Sequence, residues 1–167
     1  MSERTITFAS AALAVVGAAI SAYLLYVRQT GGTLACSTGG CEAVQKSSYA
    51  ELLGVPVSAL GLVGFLGLAL TALARGERAR LGQATIAVTA FLFGGYLLVV
   101  QLAVIEAICQ WCVATDVLGT AIVVLSLLRL RVGSPPAEIP AVAPRPYPRR
   151  RPNGNRGRRP KQRARSR

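Results

Sequence analysis

The sequence has no histidine, one methionine and one tryptophan, and only seven of its 167 residues are acidic. Without histidine, a zinc site would need thiolates for most of its ligands. No haem, flavin or iron–sulfur motif is visible, and no internal repeat. Long stretches also lack charge. Thr5 to Val27 and Leu52 to Ala74 are 23 uncharged residues each, and Leu81 to Ile105 is 25. Ala107 to Leu128 is 22 residues with one charge, Asp116. None of these runs carries the polar face at i, i+3 and i+4 that a soluble helix shows. Nor do they show the apolar–polar alternation of a barrel strand.

What is present fits a bilayer. A helix needs about 20 apolar residues to cross a hydrocarbon core roughly 30 Å thick, and within lipid such a helix satisfies its own backbone hydrogen bonds. The expected fold is an all-α, integral membrane four-helix bundle over residues 1–132, one helix per run. The first run is longer than a signal-peptide core and continues straight into Arg28, so it reads as a retained helix. Pro56 falls at the start of the second helix, where its missing N–H is tolerated.

The formal net charge of +12 resides almost entirely in the tail. Residues 1–128 hold six basic and six acidic side chains, whereas 129–167 hold thirteen basic residues against Glu138. The segment 133–167, rich in Pro, Gly and Arg, has too little apolar surface to offset the entropy of ordering. It is expected to be a disordered basic cytoplasmic tail that touches lipid head groups, with no specific nucleic acid as partner. Short-loop Lys and Arg assign the sides of the membrane. Arg75, Arg78 and Arg80 lie in the turn between the second and third runs, and Arg129 and Arg131 follow the fourth. Both termini are therefore expected in the cytoplasm, and the extracytoplasmic loop bears cysteines.

All four cysteines fall on that outer side as two close pairs. Cys36-Ser-Thr-Gly-Gly-Cys41 lies in the polar, Gly-rich segment 29–51, and Cys109-Gln-Trp-Cys112 opens the fourth helix. The outer side is oxidising, so disulfides persist there. Closely spaced cysteines close small rings that are readily reduced, and a helix N-terminus favours the thiolate. Zinc coordination by the four sulfurs and static structural bridges are the competing readings. Redox exchange accounts better for two pairs on one membrane protein. A loop pair can meet a soluble thiol protein, while a pair at a helix end can face an acceptor dissolved in the bilayer. By elimination, that acceptor is a quinone.

The ordered set Cys36-x4-Cys41, Ser47, Gly54-Val-Pro-Val-Ser-Ala-Leu-Gly61 and Cys109-x-x-Cys112 resembles the bacterial branch of the vitamin K epoxide reductase family. The resemblance extends over roughly residues 5–130. It implies a four-helix bundle around ubiquinone or menaquinone and a quinone-dependent thiol oxidoreductase that supports disulfide bond formation. It also implies that Cys36 meets the partner protein, that Cys41 exchanges with Cys109, and that Cys112 lies nearest the quinone. Ser47 corresponds to the family's loop Ser/Thr, with Ser48 adjacent. Many bacterial members carry a fused thioredoxin-like domain. The tail here is too short and polar for one, so the expected partner is a separate secreted thioredoxin-like or DsbA-like protein.

Two positions depart from the vertebrate branch. Val57 stands where that branch has Asn, and Asp116 where it has Tyr, both positions that contact the quinone there. Val57, Trp111, Cys112 and Asp116 are accordingly the expected quinone-contacting residues. Asp116, at i+4 from Cys112, shares its helix face and is a candidate to move a proton, or else simply to hydrogen-bond a neighbouring helix or snorkel to the outer interface. Two alternatives remain at this point. One is a DsbB-type quinone reductase, in which the two cysteine motifs occur in the opposite order. The other is a membrane scaffold with structural disulfides.

Overall fold

The computed structural model describes residues 2–132, and the basic tail lies outside the described residues. Helix α1 spans Glu3–Thr30. The Ser2 hydroxyl caps its start by accepting the Thr5 N–H at 3.2 Å, satisfying one of the free first-turn donors. Its end is set by Gly31 in the left-handed conformation at φ 67°, which a residue with a Cβ adopts less readily.

The outer segment that follows is ordered. It contains the short helix α2 (Cys41–Lys46), a 3-10 turn (Ser48–Ala50) and a two-stranded hairpin of β1 (Glu51–Leu52) and β2 (Val55–Pro56). The hairpin turn places Leu53 and Gly54 at φ 53° and 81°. Three long helices complete the chain: α3 (Val57–Leu73), α4 (Glu77–Ala103) and α5 (Gln110–Val132).

Helices α1, α4 and α5 are long and apolar enough to cross a membrane, while α3 is a shorter apolar helix of 17 residues. The uncharged run from Leu52 to Ala74 is thus not helical throughout. Its first five residues form the hairpin, because the turn through Gly54 reverses the chain and Pro56 lacks the N–H a continuing helix needs. The basic turn is also shorter than the sequence suggests. Only Ala74 to Gly76 are non-helical, and Glu77 to Arg80 already belong to α4. The fourth run loses its first three residues to an irregular approach, and α5 begins after Cys109.

Each long helix packs against two others: α1 on α3 and α5, and α4 on α3 and α5. Small residues make this possible. Ala14, Gly17 and Ala18 of α1 face inward, and Gly17 receives the ring of Phe65 so closely that a Cβ would overlap it. Ala14, Ala18, Phe65, Leu68, Ala87 and Ile122 form the core. Many larger apolar side chains point outward instead, among them Phe8, Leu70, Leu92, Tyr96 and Val117. In water such a surface would be costly. Small residues inside and bulky ones outside is the arrangement that lipid permits.

The two ends of the bundle differ. At one end, buried Arg129 donates to Gln83 Oε1 at 2.5 Å and to the α3 carbonyls of Thr71 and Ala74 at 3.2 and 3.0 Å. It thereby satisfies carbonyls that the end of α3 leaves free. Nearby, Arg80 pairs with Glu3 at 3.5 Å. At the opposite end, Arg28 donates to Gln45 O and to Glu51 Oε1, each at 2.6 Å, fastening the outer segment to α1. Both cysteine pairs lie at this second end.

Candidate active site

Cys36 and Cys41 form a disulfide, and Cys109 and Cys112 are free thiols. Cys41 opens α2 and is fully buried, whereas Cys36 is half-buried. Cys109 is also fully buried, in one cluster with Cys41 and Val44, and Cys36, Trp111 and Cys112 pack against that cluster. Four sulfurs from two distant stretches of sequence therefore gather at one end of the bundle.

The position of Cys109 follows from the end of α4. Beyond Ala103 the backbone tightens, and Glu106 takes a left-handed φ of 52°. The Ala107 N–H returns to Gln101 O at 3.1 Å. The Gln101 side chain, itself buried, accepts the Cys109 N–H at 3.0 Å. Cys109 thus sits just ahead of α5, where the N–H groups of Trp111 and Cys112 stabilise its thiolate. A hydrogen bond from the Cys112 thiol is the largest influence, and together with those N–H groups it brings the Cys109 thiol down to about 7 against the opposing effect of burial. This is the behaviour expected of a cysteine at a helix N-terminus.

A partly open, predominantly apolar cavity of about 570 Å³ lies beside the inner pair. Cys112, Thr115, Asp116, Gly119 and Thr120 of α5 line it, positions at i, i+3, i+4, i+7 and i+8 and hence one helical face. Val57, Ser58 and Phe65 of α3 and Gly94 of α4 contribute other walls, and Ser47 and Tyr49 of the outer segment also line it. The Ser58 hydroxyl is buried without a hydrogen-bond partner among the described residues. The Asp116 carboxylate packs against Gly94, where a Cβ would overlap it, and makes no side-chain hydrogen bond among the described residues.

Of the residues expected at the site, Ser47, Val57, Cys112 and Asp116 share this cavity. Ser47 donates its hydroxyl to Val44 O at 2.7 Å. Cys36, Cys41 and Cys109 lie behind Cys112 and do not line the cavity. Trp111 does not line it either. Its ring meets Tyr23 edge-on with centroids 5.4 Å apart, and its Nε1 donates to Ala35 O at 2.8 Å. One residue earlier in the helix than Cys112, it projects about 100° away from the cavity face.

Gln101 and Gly94 were not singled out in the sequence, and Ser58 appeared there only as part of the 54–61 motif. Gln101 carried a usable signal, a lone amide inside an otherwise apolar run, since a polar group at membrane depth requires a partner. Gly94 carried none, because its significance lies in what approaches it from another helix. Residues 8–127 match the profile of the Vitamin K epoxide reductase family.

Proposed function

The chain belongs to the vitamin K epoxide reductase family, and on that premise we propose that this multi-pass membrane oxidoreductase carries electrons from a secreted thioredoxin-like or DsbA-like protein to a membrane quinone. The observation that carries this reading is the placement of the sulfurs. All four lie in one cluster, and Cys112 alone among them is on the wall of an apolar cavity.

The order of exchange follows from exposure. Cys36 is the accessible member of the loop pair, so the partner's thiolate attacks it, and the departing electrons reside on Cys41. Cys41 attacks Cys109 of an oxidised inner pair, releasing Cys112 as thiolate. The partner's second thiol then closes its own disulfide and frees Cys36 as a thiolate, Cys36 closes on Cys41, and Cys109 leaves. A thiol brought down to about 7 is a good leaving group. The result is a loop disulfide and an inner dithiol, the state the structure holds. Electrons then rest beside the cavity.

The cavity is suited to a quinone head group. Its volume lies within the range of small-molecule sites, roughly 300–1,000 Å³. Its walls are apolar, and the unpartnered Ser58 hydroxyl is a donor for a carbonyl oxygen. Ser58, Asp116 and Cys112 would hold the ring, with Val57 and Phe65 as apolar walls. When bound, a quinone supplies a two-electron, two-proton acceptor. Asp116, one helical turn below Cys112, takes up a thiol proton at its carboxylate. The absence of a Cβ at Gly94 keeps that carboxylate at the cavity wall.

The four long helices are read as four spans, α3 crossing with the help of the adjoining hairpin. Arg75, Arg78 and Arg131 lie at the end away from the cysteines, supporting cytoplasmic termini and extracytoplasmic cysteines. Reporters fused at Gly76 and after the C-terminus should both read as cytoplasmic. A secreted-side signal at either overturns this orientation.

The test of function uses the purified protein with a reduced thioredoxin-like protein and a quinone, following quinone absorbance. Parent protein should turn over, and Cys112→Ala should not. Cys36→Ala should lose turnover with the protein substrate while a small dithiol still drives the inner pair. A Cys36→Ala protein fully active with the folded substrate contradicts the proposed order.

A further inference from the structure

The two residues inside the inner motif, Gln110 and Trp111, both turn toward the loop that carries the other cysteine pair. The Gln110 side-chain oxygen accepts the Ser37 N–H at 3.1 Å and also the Ser37 hydroxyl. Its side-chain nitrogen donates to Ala35 O at 3.2 Å. Trp111 Nε1 donates to the same carbonyl at 2.8 Å. Tyr23, edge-on to the Trp111 ring, accepts the Ala35 N–H at 3.3 Å.

The loop motif is shaped to receive this grip. The Thr38 hydroxyl donates to Ile108 O at 2.9 Å. Gly39 turns the chain at a φ of 73°. Gly40 lies so close to Ile108 that a Cβ would be 2.6 Å from its carbonyl oxygen. Each of the four residues between Cys36 and Cys41 therefore turns the loop or contacts the segment around Cys109.

We infer that Gln110 and Trp111 form a docking latch that reads the loop backbone at Ala35 and Ser37 and holds Cys41 on Cys109 for exchange. This rests on the relay proposed above and adds the positioning residues for its inter-pair step. Two cysteines of this spacing need only be near a helix start to be reactive, and nothing in that chemistry requires a polar amide between them. The amide instead satisfies three polar groups of the loop at once. Its bonds lie at the protein surface, where water competes for the same groups. The grip is therefore reversible. The latch leaves Cys36 half-exposed while Cys41 is fully covered, so the partner reaches one sulfur and the inner pair the other. In the exchange step the Cys41–Cys109 bond forms as the Cys109–Cys112 bond breaks, and Cys112 takes the electron pair. The latch changes the alignment of that step and not its electron balance.

The test isolates this step without a quinone. In a Cys36→Ala, Cys112→Ala protein, Cys41 and Cys109 are the only cysteines, and mild oxidation should join them. Gln110→Met keeps the length and helical preference of the side chain but removes its three hydrogen bonds. It should slow joining by about tenfold or more, the scale of one to two net hydrogen bonds. Ser37→Ala should slow it less. The combination of Ser37→Ala with Gln110→Met should be little worse than Gln110→Met alone, since both act on one contact. Gly40→Val, which forces the loop off Ile108 by a different route, should also slow joining. Thermal unfolding recorded on each protein separates loss of alignment from loss of fold. Equal joining rates in parent and folded Gln110→Met protein overturn the latch. Failure of Cys41 and Cys109 to join even with Gln110 present overturns the relay, and the latch with it.

Discussion

Gly94 on α4 and the carboxylate of Asp116 on α5 meet so closely that a side chain on the glycine would displace the acid. The glycine is unremarkable within its own helix, where it lowers helical propensity by about 1 kcal/mol relative to alanine. Its value is the space it leaves on the cavity wall. Asp116 is thereby held one turn from Cys112 without a side-chain hydrogen bond or ion pair among the described residues.

Asp116→Asn should keep the shape of the site and lower quinone reduction by about a hundredfold, the usual scale for a general acid or base. The titrating groups that face one another here are Asp116, Cys109 and Cys112, so the variant's pH–rate profile should retain the thiol limb and lose the carboxyl limb. Gly94→Ala should reproduce much of this by moving the carboxylate. A profile and rate equal to the parent for Asp116→Asn would exclude a proton role.

The Cys109 thiolate should titrate with a midpoint of about 7. Below that pH the sulfur is protonated and loses its nucleophilicity; above it the thiolate persists. Because the Cys112 thiol is the main cause, Cys112→Ala should raise the midpoint toward that of an ordinary cysteine. Ultraviolet thiolate absorbance, read in a protein whose loop pair is oxidised, follows the titration. An unchanged midpoint in Cys112→Ala would show that the helix N-terminus, and not the thiol, dominates.

Gly17→Ala should destabilise the α1–α3 contact, since the new methyl meets the Phe65 ring. Overpacking of this kind costs about 1–3 kcal/mol, which appears as a lower unfolding temperature in detergent. Phe65→Leu combined with Gly17→Ala should recover part of the loss. A combined variant no better than the sum of the two would argue against direct contact as the cause.

Arg129→Met should cost on the order of 2–4 kcal/mol, because it abandons the Thr71 and Ala74 carbonyls and the Gln83 amide together. Arg129→Lys should recover less than half. A single ammonium cannot reach three acceptors arranged for a planar fork. Thermal unfolding of the three proteins side by side ranks them, and a lysine variant as stable as the parent would show that charge alone suffices.

Much of this molecule was legible in its sequence because the relevant physics is local. An uncharged run long enough to cross lipid declares itself residue by residue. So does a cysteine pair at the start of an apolar helix, and the four-residue step from Cys112 to Asp116 puts both on one face whatever lies opposite. Trp111 was also among the expected quinone contacts, but position 111 projects to a different side of the helix, toward Tyr23 and Ala35. Sequence reasoning placed the start of the second helix at Pro56, next to the observed start at Val57, but counted Leu52–Val55 in the apolar run on hydropathy alone, where the turn geometry of Leu53 and Gly54 produces a hairpin.

What only the tertiary structure decided is which groups meet across the chain. Gln110 bonds Ser37 at a sequence separation of 73 residues, and no pattern near either residue announces the other. Gly94 makes room for Asp116 only because α4 and α5 pack at that height, and Gln101 holds Cys109 only because α4 ends where it does. Hydropathy and helical period are properties of consecutive residues, so the sequence alone determined the spans and the faces of the helices. The alignment of sulfur with sulfur, and of carboxylate with cavity, depends on how those faces pack, and that is a property of the whole bundle.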